Sequence, residues 1–359
     1  MIKMALSAAR MLPGVAGIRK RIPRGWQPER VVVTRIQNLG DCVVFVPTLQ
    51  ALREVWPDTR IDVLAGTSVG EAVFQMVPGI DNVLRTSWPG PLSGKKKQEQ
   101  IRILSDGKYD AILLSTEETG MALKGFLSGI PLRAGFTRIT HMNEHHRERL
   151  PILLTHKLEQ PDELHEAEVN CQLARLFGYS GKTPACELSI PNEATAEANS
   201  LLDELDIKPG QYICVHPGTN QPVKNWGIQN FAETCDLVAE SGLTPVFVGI
   251  PQEAELIQQI KSAMQQESKN LAGRTTLPAL ASVFRSSRGF LGNDSGPMHL
   301  AAATGIPVTA VFVASLPEVW GPWNPRRTNR VFLPDEAVPQ IVAESVITLA
   351  GTYEKMQPA

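Results

Sequence analysis

Two series of alternating strands and helices shape this 359-residue sequence. The first series opens with the β-branched run at residues 31–34 (VVVT), and the second opens at residues 212–215 (YICV). Each run is followed by a stretch whose apolar residues recur at helical spacing, a pattern typical of parallel strands covered on both faces. Glycine and prolines interrupt the pattern at residues 179–194. We therefore expect two doubly wound α/β domains, with a cleft between them.

The same pattern predicts the domain limits. We expect a basic extension at residues 1–29, a Rossmann-like domain at 30–185, a second one at 186–335, and a C-terminal helix at 336–359 that packs back on the first domain. In the extension, the basic cluster at residues 19–21 follows the apolar run, which is not the order of a secretion signal. The extension is either a frayed tail or a segment that lies on an anionic membrane surface.

Composition excludes several classes of protein. Lys and Arg number 35 against 37 Asp and Glu, a net charge of -2 that argues against a nucleic-acid binder. The five cysteines are scattered and contain no CxxC pair, so neither a disulfide frame nor a zinc site is expected. No apolar run is long enough to span a bilayer. These features indicate a cytoplasmic protein.

Two loops of the second half suit an anion. One joins a strand ending at Leu291 to a helix, where the free amides and the helix dipole attract negative charge. The other follows the strand at residues 212–215 and offers a hydroxyl and an ammonium group. The candidate ligands are Thr219, Asn220, Lys224, Asp294, Ser295, Gly296 and His299. Alone, each loop also fits an ordinary turn, but two of them in one half-sheet suggest a diphosphate.

Three more candidate site positions lie in turns that follow predicted strands. Glu253 or Glu255 is placed to accept hydrogen bonds from a ribose, although both also fit the acidic first turn of a helix. Thr275 lies in a turn expected to touch the base. In the first half, Asp41 either removes a proton from an incoming hydroxyl or caps the helix that follows.

Residues 136–160 break the alternation and predict a long, positively charged loop. Its candidate contacts with an acidic ligand are Arg138, His141 and Arg147. His141 and His145 are four residues apart, but no carboxylate or cysteine completes a metal-ligand set. The sequence also lacks the G-x-G-x-x-G, G-x-x-x-x-G-K-[ST], G-x-S-x-G and Asp-x-Asp patterns. We therefore expect neither a nicotinamide cofactor nor a bound metal.

Several of these stretches together resemble the heptosyltransferases of lipopolysaccharide core synthesis, glycosyltransferase family nine. The resemblance covers about residues 31–325, and its motifs are RIQNLGD (35–41), PTLQAL (47–52), HPGT with KNW (216–219, 224–226), GIPQEAE (249–255), GNDSGPMHLAA (292–302) and WGPW (320–323).

The resemblance implies a GT-B fold with an acceptor-binding first domain and a nucleotide-sugar-binding second domain. It implies inverting, metal-independent transfer of a sugar, most commonly from ADP-heptose, to a lipopolysaccharide-type glycan. Asp41 then corresponds to the general base and Lys224 to the diphosphate-contacting lysine. Glu253 falls at or near the acidic residue that binds the ribose in this family, and Glu255 is the competing assignment. His165 matches a family histidine that opens the last helix of the first domain, and we group it with the acceptor contacts.

The sequence departs from the family pattern at Ser295, where threonine is common, and in the long N-terminal extension. We expect a nucleotide-sugar donor and a lipid-linked or phosphorylated glycan acceptor as partners, with a peripheral contact at the cytoplasmic face of the inner membrane. Two other functions fit the same fold. One is a nucleotide-sugar epimerase, and the other is a sugar-nucleotide-binding protein without catalysis.

Overall fold

The computed structural model describes residues 22–23, 25–35, 38–86, 95–115, 119–139, 146–147, 151–160, 164–325 and 329–356. The chain divides into two compact units, with the first ending at Pro184 and the second beginning at Ala185. Two short segments of the N-terminal half, Asn38–Val46 and Met76–Pro78, belong to the second unit. The sequence-based limits assigned these two segments to the first domain.

The first unit is built on a parallel six-stranded sheet. The strands of the N-terminal half are β1 (Arg30–Arg35), β2 (Arg60–Ala65), β3 (Asn82–Arg85), β4 (Ala111–Leu114), β5 (Leu132–Phe136), β6 (Arg138–Ile139), β7 (His146–Arg147) and β8 (His156–Leu158). The sheet order is β3-β2-β1-β4-β5-β8, while β6 and β7 form a separate antiparallel pair. The helices of this half are α1 (Leu39–Val55), α2 (Ser68–Gln75), α3 (Lys95–Asp106), α4 (Thr119–Leu127) and α5 (Glu166–Leu176).

The second unit repeats this architecture. Its strands are β9 (Tyr212–His216), β10 (Thr244–Phe247), β11 (Lys269–Asn270), β12 (Phe290–Asn293), β13 (Val308–Val311) and β14 (Arg330–Phe332), in the order β11-β10-β9-β12-β13-β14 and all parallel. Its helices are α6 (Asn192–Glu204), α7 (Ile228–Glu240), α8 (Ala254–Ala263), α9 (Leu277–Ser286), α10 (Gly296–Ala303), α11 (Pro317–Trp320) and α12 (Pro339–Met356).

The central strands form because their side chains are apolar on both faces. In β1, Val31, Val32 and Val33 are completely buried, and all five residues of β9 are buried. β-branched side chains favour this extended, two-sided packing. The two parallel sheets with their helices confirm the prediction of two doubly wound α/β domains.

The C-terminal helix packs on the second unit. Val342, Ala343 and Val346 of α12 join the same buried cluster as Phe231 and Cys235 of α7. The described contacts of this helix thus lie within its own unit, and packing against the first domain stays a prediction. Its apolar face finds a buried partner within its own unit, which removes that surface from water.

The prediction of one long loop at residues 136–160 was wrong for its second part. Strand β8 pairs in parallel with β5 and completes the sheet, following a 3₁₀ turn at Pro151–Leu153. β8 has only three residues, so its sequence carries little periodic signal. His141 lies outside the described residues. For Arg138 and Arg147, the structure describes only the backbone, which pairs β6 with β7.

Helix α1 begins at Leu39, within the RIQNLGD motif. Asp41 consequently lies in the first turn of α1 and not in the turn that precedes the helix. Short elements that the sequence pattern did not predict are β11, β14 and α11.

Candidate active site

The candidate site lies where the connections of the second sheet change direction. Strands β9 and β12 are neighbours in the sheet, with β10 and β11 on one side and β13 and β14 on the other. In such a sheet, ligands bind outside the carboxyl ends of the strands at this switch point. The loops that follow β9 and β12 are the two anion-suited loops found in the sequence.

Asn293, at the end of β12, ties these two loops together. Its side-chain amide donates a 2.7 Å hydrogen bond to the carbonyl of Pro217, and the backbone amide of Trp226 donates to its Oδ1 at 3.1 Å. Asn293 is completely buried. Sequence reasoning placed Asn293 in a motif but missed this role, because the bonds join residues about 70 positions apart.

Lys224 and Asp294 form an ion pair. The Lys224 Nζ donates to Asp294 Oδ2 at 2.6 Å, and the hydroxyl of Ser315 donates to the same oxygen at 2.6 Å. Asp294 is buried and Lys224 is partly exposed. The pairing holds the ammonium group of Lys224 beside the amino end of α10. Ser315, which comes after β13, had no signal in the sequence pattern.

A second polar cluster joins three loops. His216, the last residue of β9, lies between Ser295 and Glu253. Its Nδ1 is 3.2 Å from Ser295 Oγ, and its Nε2 is 3.3 Å from Glu253 Oε2. The Ile250 amide also donates to Glu253 Oε2, at 2.9 Å. His216 belongs to the HPGT motif, but the sequence pattern alone does not mark it as a site residue.

Glu253 and Glu255 have different surroundings. Glu255 is exposed on α8, where Gln259 donates to it one helical turn away. The carboxylate of Glu253 packs so closely on Gly218 and Gly249 that a β-carbon at either glycine would overlap it. Partial burial raises the pKa of Glu253, but the bond and charge of His216 and the Ile250 amide outweigh this and lower the pKa below its ordinary value. Glu253 is thus held as a carboxylate at the sheet edge.

Helix α10 presents its amino end at the same place. Ser295 occupies the N-cap position, but its side chain makes no capping hydrogen bond, because its Oγ lies against His216. The first-turn amides of α10 and their dipole are therefore not neutralised by Ser295. Gly296 opens the helix, and a β-carbon there would lie 2.8 Å from the Leu39 Cβ. His299 is buried in the same helix.

The other residues predicted to contact the nucleotide-sugar are Thr219, Asn220 and Thr275, which lie outside the two polar clusters. Thr219 bonds locally, with its Oγ1 accepting the Gln221 amide at 3.3 Å, and Asn220 is exposed. The Gly273 amide donates to the Gly249 carbonyl at 2.8 Å, so the turn before Thr275 adjoins the loop of Glu253. Thr275 is partly buried, and its neighbour Thr276 caps α9 by accepting the Ala279 amide at 3.3 Å.

Asp41 belongs to the second unit together with His299. The Asn38 amide donates to Asp41 Oδ2 at 3.2 Å, so the carboxylate does cap α1. A β-carbon on the adjacent Gly40 would lie 2.8 Å from the ring of His299. The first turns of α1 and α10 therefore meet with little free space between them.

His165 caps α5, since its Nδ1 accepts the Ala167 amide at 3.1 Å. The five cysteines are buried free thiols. The described part of the chain contains no group of three His, Cys, Asp or Glu side chains arranged to hold a metal ion. Among the described helices, none has the length and apolarity needed to cross a membrane.

Two parallel six-stranded α/β units with polar loops at the switch point of the second sheet have the architecture of the GT-B fold. The chain belongs to glycosyltransferase family 9 (heptosyltransferase), whose family model matches residues 99–349. The resemblance drawn from the sequence motifs is thereby confirmed, and the protein is a glycosyltransferase enzyme of the lipopolysaccharide heptosyltransferase family.

The relatives cover most of the chain at low identity. Lipopolysaccharide core heptosyltransferase OpsX of Haemophilus influenzae is 23% identical over 303 residues, which is 83% of this chain and 82% of that protein. Lipopolysaccharide heptosyltransferase 3 of Escherichia coli K12 is 25% identical over 330 residues, covering 88% of this chain and 87% of its own.

Solved structures show the same fold. A glycosyltransferase family 9 protein from Veillonella parvula superimposes with a TM-score of 0.77 at 21% identity, over 92% of this chain and 98% of its own. The ADP-heptose lipopolysaccharide heptosyltransferase II of Escherichia coli gives 0.76 at 20% identity, over 90% and 99%. A putative UDP-N-acetylglucosamine 2-epimerase from Listeria monocytogenes shares the fold more distantly, with a TM-score of 0.54 at 12% identity. It covers 91% of this chain and 90% of its own.

Proposed function

We propose that this enzyme transfers a heptose from ADP-heptose to a lipopolysaccharide-type glycan, with inversion at the anomeric carbon and without a metal ion. The similar proteins support the donor and acceptor classes. They include a lipopolysaccharide core heptosyltransferase and a heptosyltransferase, WaaC, solved with ADP and with ADP-2-deoxy-2-fluoro heptose. The observation that carries the proposal is the convergence of Lys224, Ser295 and Glu253 at one edge of the second sheet.

The donor would be held by its charged and polar parts. Glu253 Oε2 is occupied by His216 and Ile250, while Oε1 makes no hydrogen bond with the described residues and can accept from a ribose hydroxyl. The diphosphate would lie at the amino end of α10, close to Lys224 and Ser295. Thr219 and Asn220 would line the phosphate side, and Thr275 the base side.

In the proposed reaction, Asp41 acts on the acceptor, and Lys224 and α10 act on the leaving group. Asp41 would take the proton of the acceptor hydroxyl, whose oxygen then forms a bond to the anomeric carbon on the face opposite the nucleotide. The bond between that carbon and the diphosphate oxygen breaks, and its electron pair leaves with ADP. Lys224 and the α10 amides would stabilise the charge that develops on the departing oxygen. With a lysine and a helix end in this role and no Asp-x-Asp pair in the sequence, no metal is required.

The acceptor would meet the N-terminal half. Arg138, His141 and Arg147 carry the basic character of the segment after β5, and His165 follows β8 at the start of α5. Guanidinium groups pair well with phosphates and acidic sugars. The basic extension at residues 1–29 would add attraction to an anionic membrane surface.

Asp41→Asn tests the mechanism. The amide keeps the size of the side chain but cannot accept the proton, so kcat should fall about 100-fold to 10,000-fold while ADP binding changes little. The measurement is transfer from ADP-heptose to a deacylated lipopolysaccharide acceptor, with calorimetry for ADP. Lys224→Met is the companion variant and should weaken ADP binding as well as transfer.

Two further measurements test the inversion of configuration and the independence from metal ions. The anomeric configuration of the product, determined by NMR, should be opposite to that of the donor, and a chelator should leave the rate unchanged. Glu255→Gln serves as the control, because this acid is exposed and accepts a hydrogen bond from Gln259 of the same helix. Wild-type turnover by the Asp41 variant would remove Asp41 from the chemistry, and retention of configuration would refute the single-displacement mechanism.

A further inference from the structure

We infer that His216 is a positioning residue that couples the ribose side of the donor site to its phosphate side. This inference rests on the proposed function, which assigns Glu253 to the ribose and Ser295 to the diphosphate. It goes further by assigning a role to a residue that touches neither part of the donor.

The geometry gives His216 two polar neighbours on opposite sides of its ring. Ser295 Oγ lies 3.2 Å from Nδ1, and Glu253 Oε2 lies 3.3 Å from Nε2. The His216 side chain is only 5% exposed, so water has little access to either bond. Among the described residues, Glu253 is the charged group that pairs with His216.

The chemistry of these groups links the two bonds. An ionised carboxylate only accepts hydrogen bonds, so Nε2 must donate to Glu253. A neutral ring then has no proton on Nδ1, and Ser295 must donate to the ring. A ring with a proton on both nitrogens donates from Nδ1 to Ser295 instead. The hydroxyl hydrogen of Ser295 is then released and can donate to a phosphate oxygen.

The backbone holds the cluster in this arrangement. Gly218 and Gly249 leave just enough room for the Glu253 carboxylate, and the Ile250 amide donates to Oε2 at 2.9 Å. Asn293 fixes Pro217, the residue after His216, to the strand that leads to Ser295. Because the cluster has little freedom to rearrange, removing Glu253 should change how Ser295 meets a phosphate.

The experiment is a double-mutant cycle with ADP as the probe, measured by calorimetry. In the presence of His216, Glu253→Gln and Ser295→Ala should be non-additive in ADP affinity by about threefold to tenfold. In a His216→Gln background the two changes should become additive, within about twofold. The glutamine amide reaches the Nε2 side of the ring position and can meet Glu253, but not Ser295.

His216→Asn provides the mirror variant, since its amide reaches the Nδ1 side and can meet Ser295 but not Glu253. It also keeps the test decisive if His216→Gln does not fold, and thermal unfolding establishes that point for each variant. The matched control is the cycle between Glu255→Gln and Ser295→Ala, which should be additive.

The outcomes distinguish a failure of the proposed donor from a failure of the role of His216. Wild-type protein that does not bind ADP would overturn the proposed donor and this inference together. ADP binding with additive effects of Glu253 and Ser295, or coupling that persists in both His216 variants, would overturn this inference alone.

Discussion

Glu253 shows how a single side chain acquires its role from its neighbours. By position in the sequence, it and Glu255 are equivalent acids at the start of a helix. The structure gives Glu253 a bond to His216, a bond to the Ile250 amide and close packing on Gly218, while Glu255 stays exposed. These contacts lower the pKa of Glu253 despite its partial burial.

The lowered pKa of Glu253 predicts a pH dependence of stability. A carboxyl whose pKa is lower in the folded state than in the unfolded chain stabilises the fold above the unfolded pKa, and this stabilisation is lost as the pH falls through the folded pKa. Wild type should therefore exceed Glu253→Gln in free energy of unfolding near neutral pH, and the difference should shrink below about pH 4. Urea unfolding across this range measures it, with Glu255→Gln as control. A difference that grows on acidification would contradict the assignment.

At the scale of elements, two helix starts meet at the site. The first turn of α1 carries Asp41, and the first turn of α10 carries Gly296 and His299. Glycine is needed at positions 40 and 296 because a β-carbon at either would lie 2.8 Å from a neighbouring carbon atom. This close approach places the proposed base next to the proposed phosphate-binding helix.

Gly40→Ala tests this packing. The added methyl group should push the first turn of α1 away from the His299 ring, displacing Asp41. Since small displacements of a reacting group are costly, kcat should fall about tenfold to 100-fold, with a smaller effect on ADP affinity. Steady-state kinetics and calorimetry measure the two effects. Gly351→Ala in α12 is the control, because its β-carbon would meet nothing within 4 Å. Unchanged kcat in Gly40→Ala would show that the contact does not position Asp41.

At the scale of the whole molecule, each unit has its own sheet and buried cluster, and the C-terminal helix completes the cluster of the second unit. Val342 and Val346 are buried against a cluster that includes Cys235. Burial also makes the thiols weak acids: it raises the pKa of Cys186 to about 12 and raises that of Cys235 as well. The thiolate is the form that attacks thiol reagents, so the cysteines of the native protein should be labelled slowly.

Val342→Asp should open this cluster. A carboxylate without a partner in an apolar core costs several kcal/mol, so the second unit should unfold at lower temperature and Cys235 should label much faster. Calorimetry and mass-spectrometric detection of the modified thiol measure the change. Gln340→Asp adds the same charge at an exposed position of the same helix and should label like wild type. Equal protection of Cys235 in both variants would argue that α12 is not part of the core.

The two α/β series, the parallel sheets and the loops of the candidate site could be predicted from the sequence, because strand periodicity, helix periodicity and turn residues are local properties. The sequence also pointed to Lys224, Glu253 and Asp41 through motif resemblance. The short strand β8 was not predicted, because three residues are too few to show a hydrophobic periodicity. The hydrogen-bond partners could not be predicted and are seen only in the fold: Asn293 with Pro217, Ser315 with Asp294, and His216 between Ser295 and Glu253. These bonds join residues that are distant in sequence, and only the packing of neighbouring strands brings them within hydrogen-bond reach.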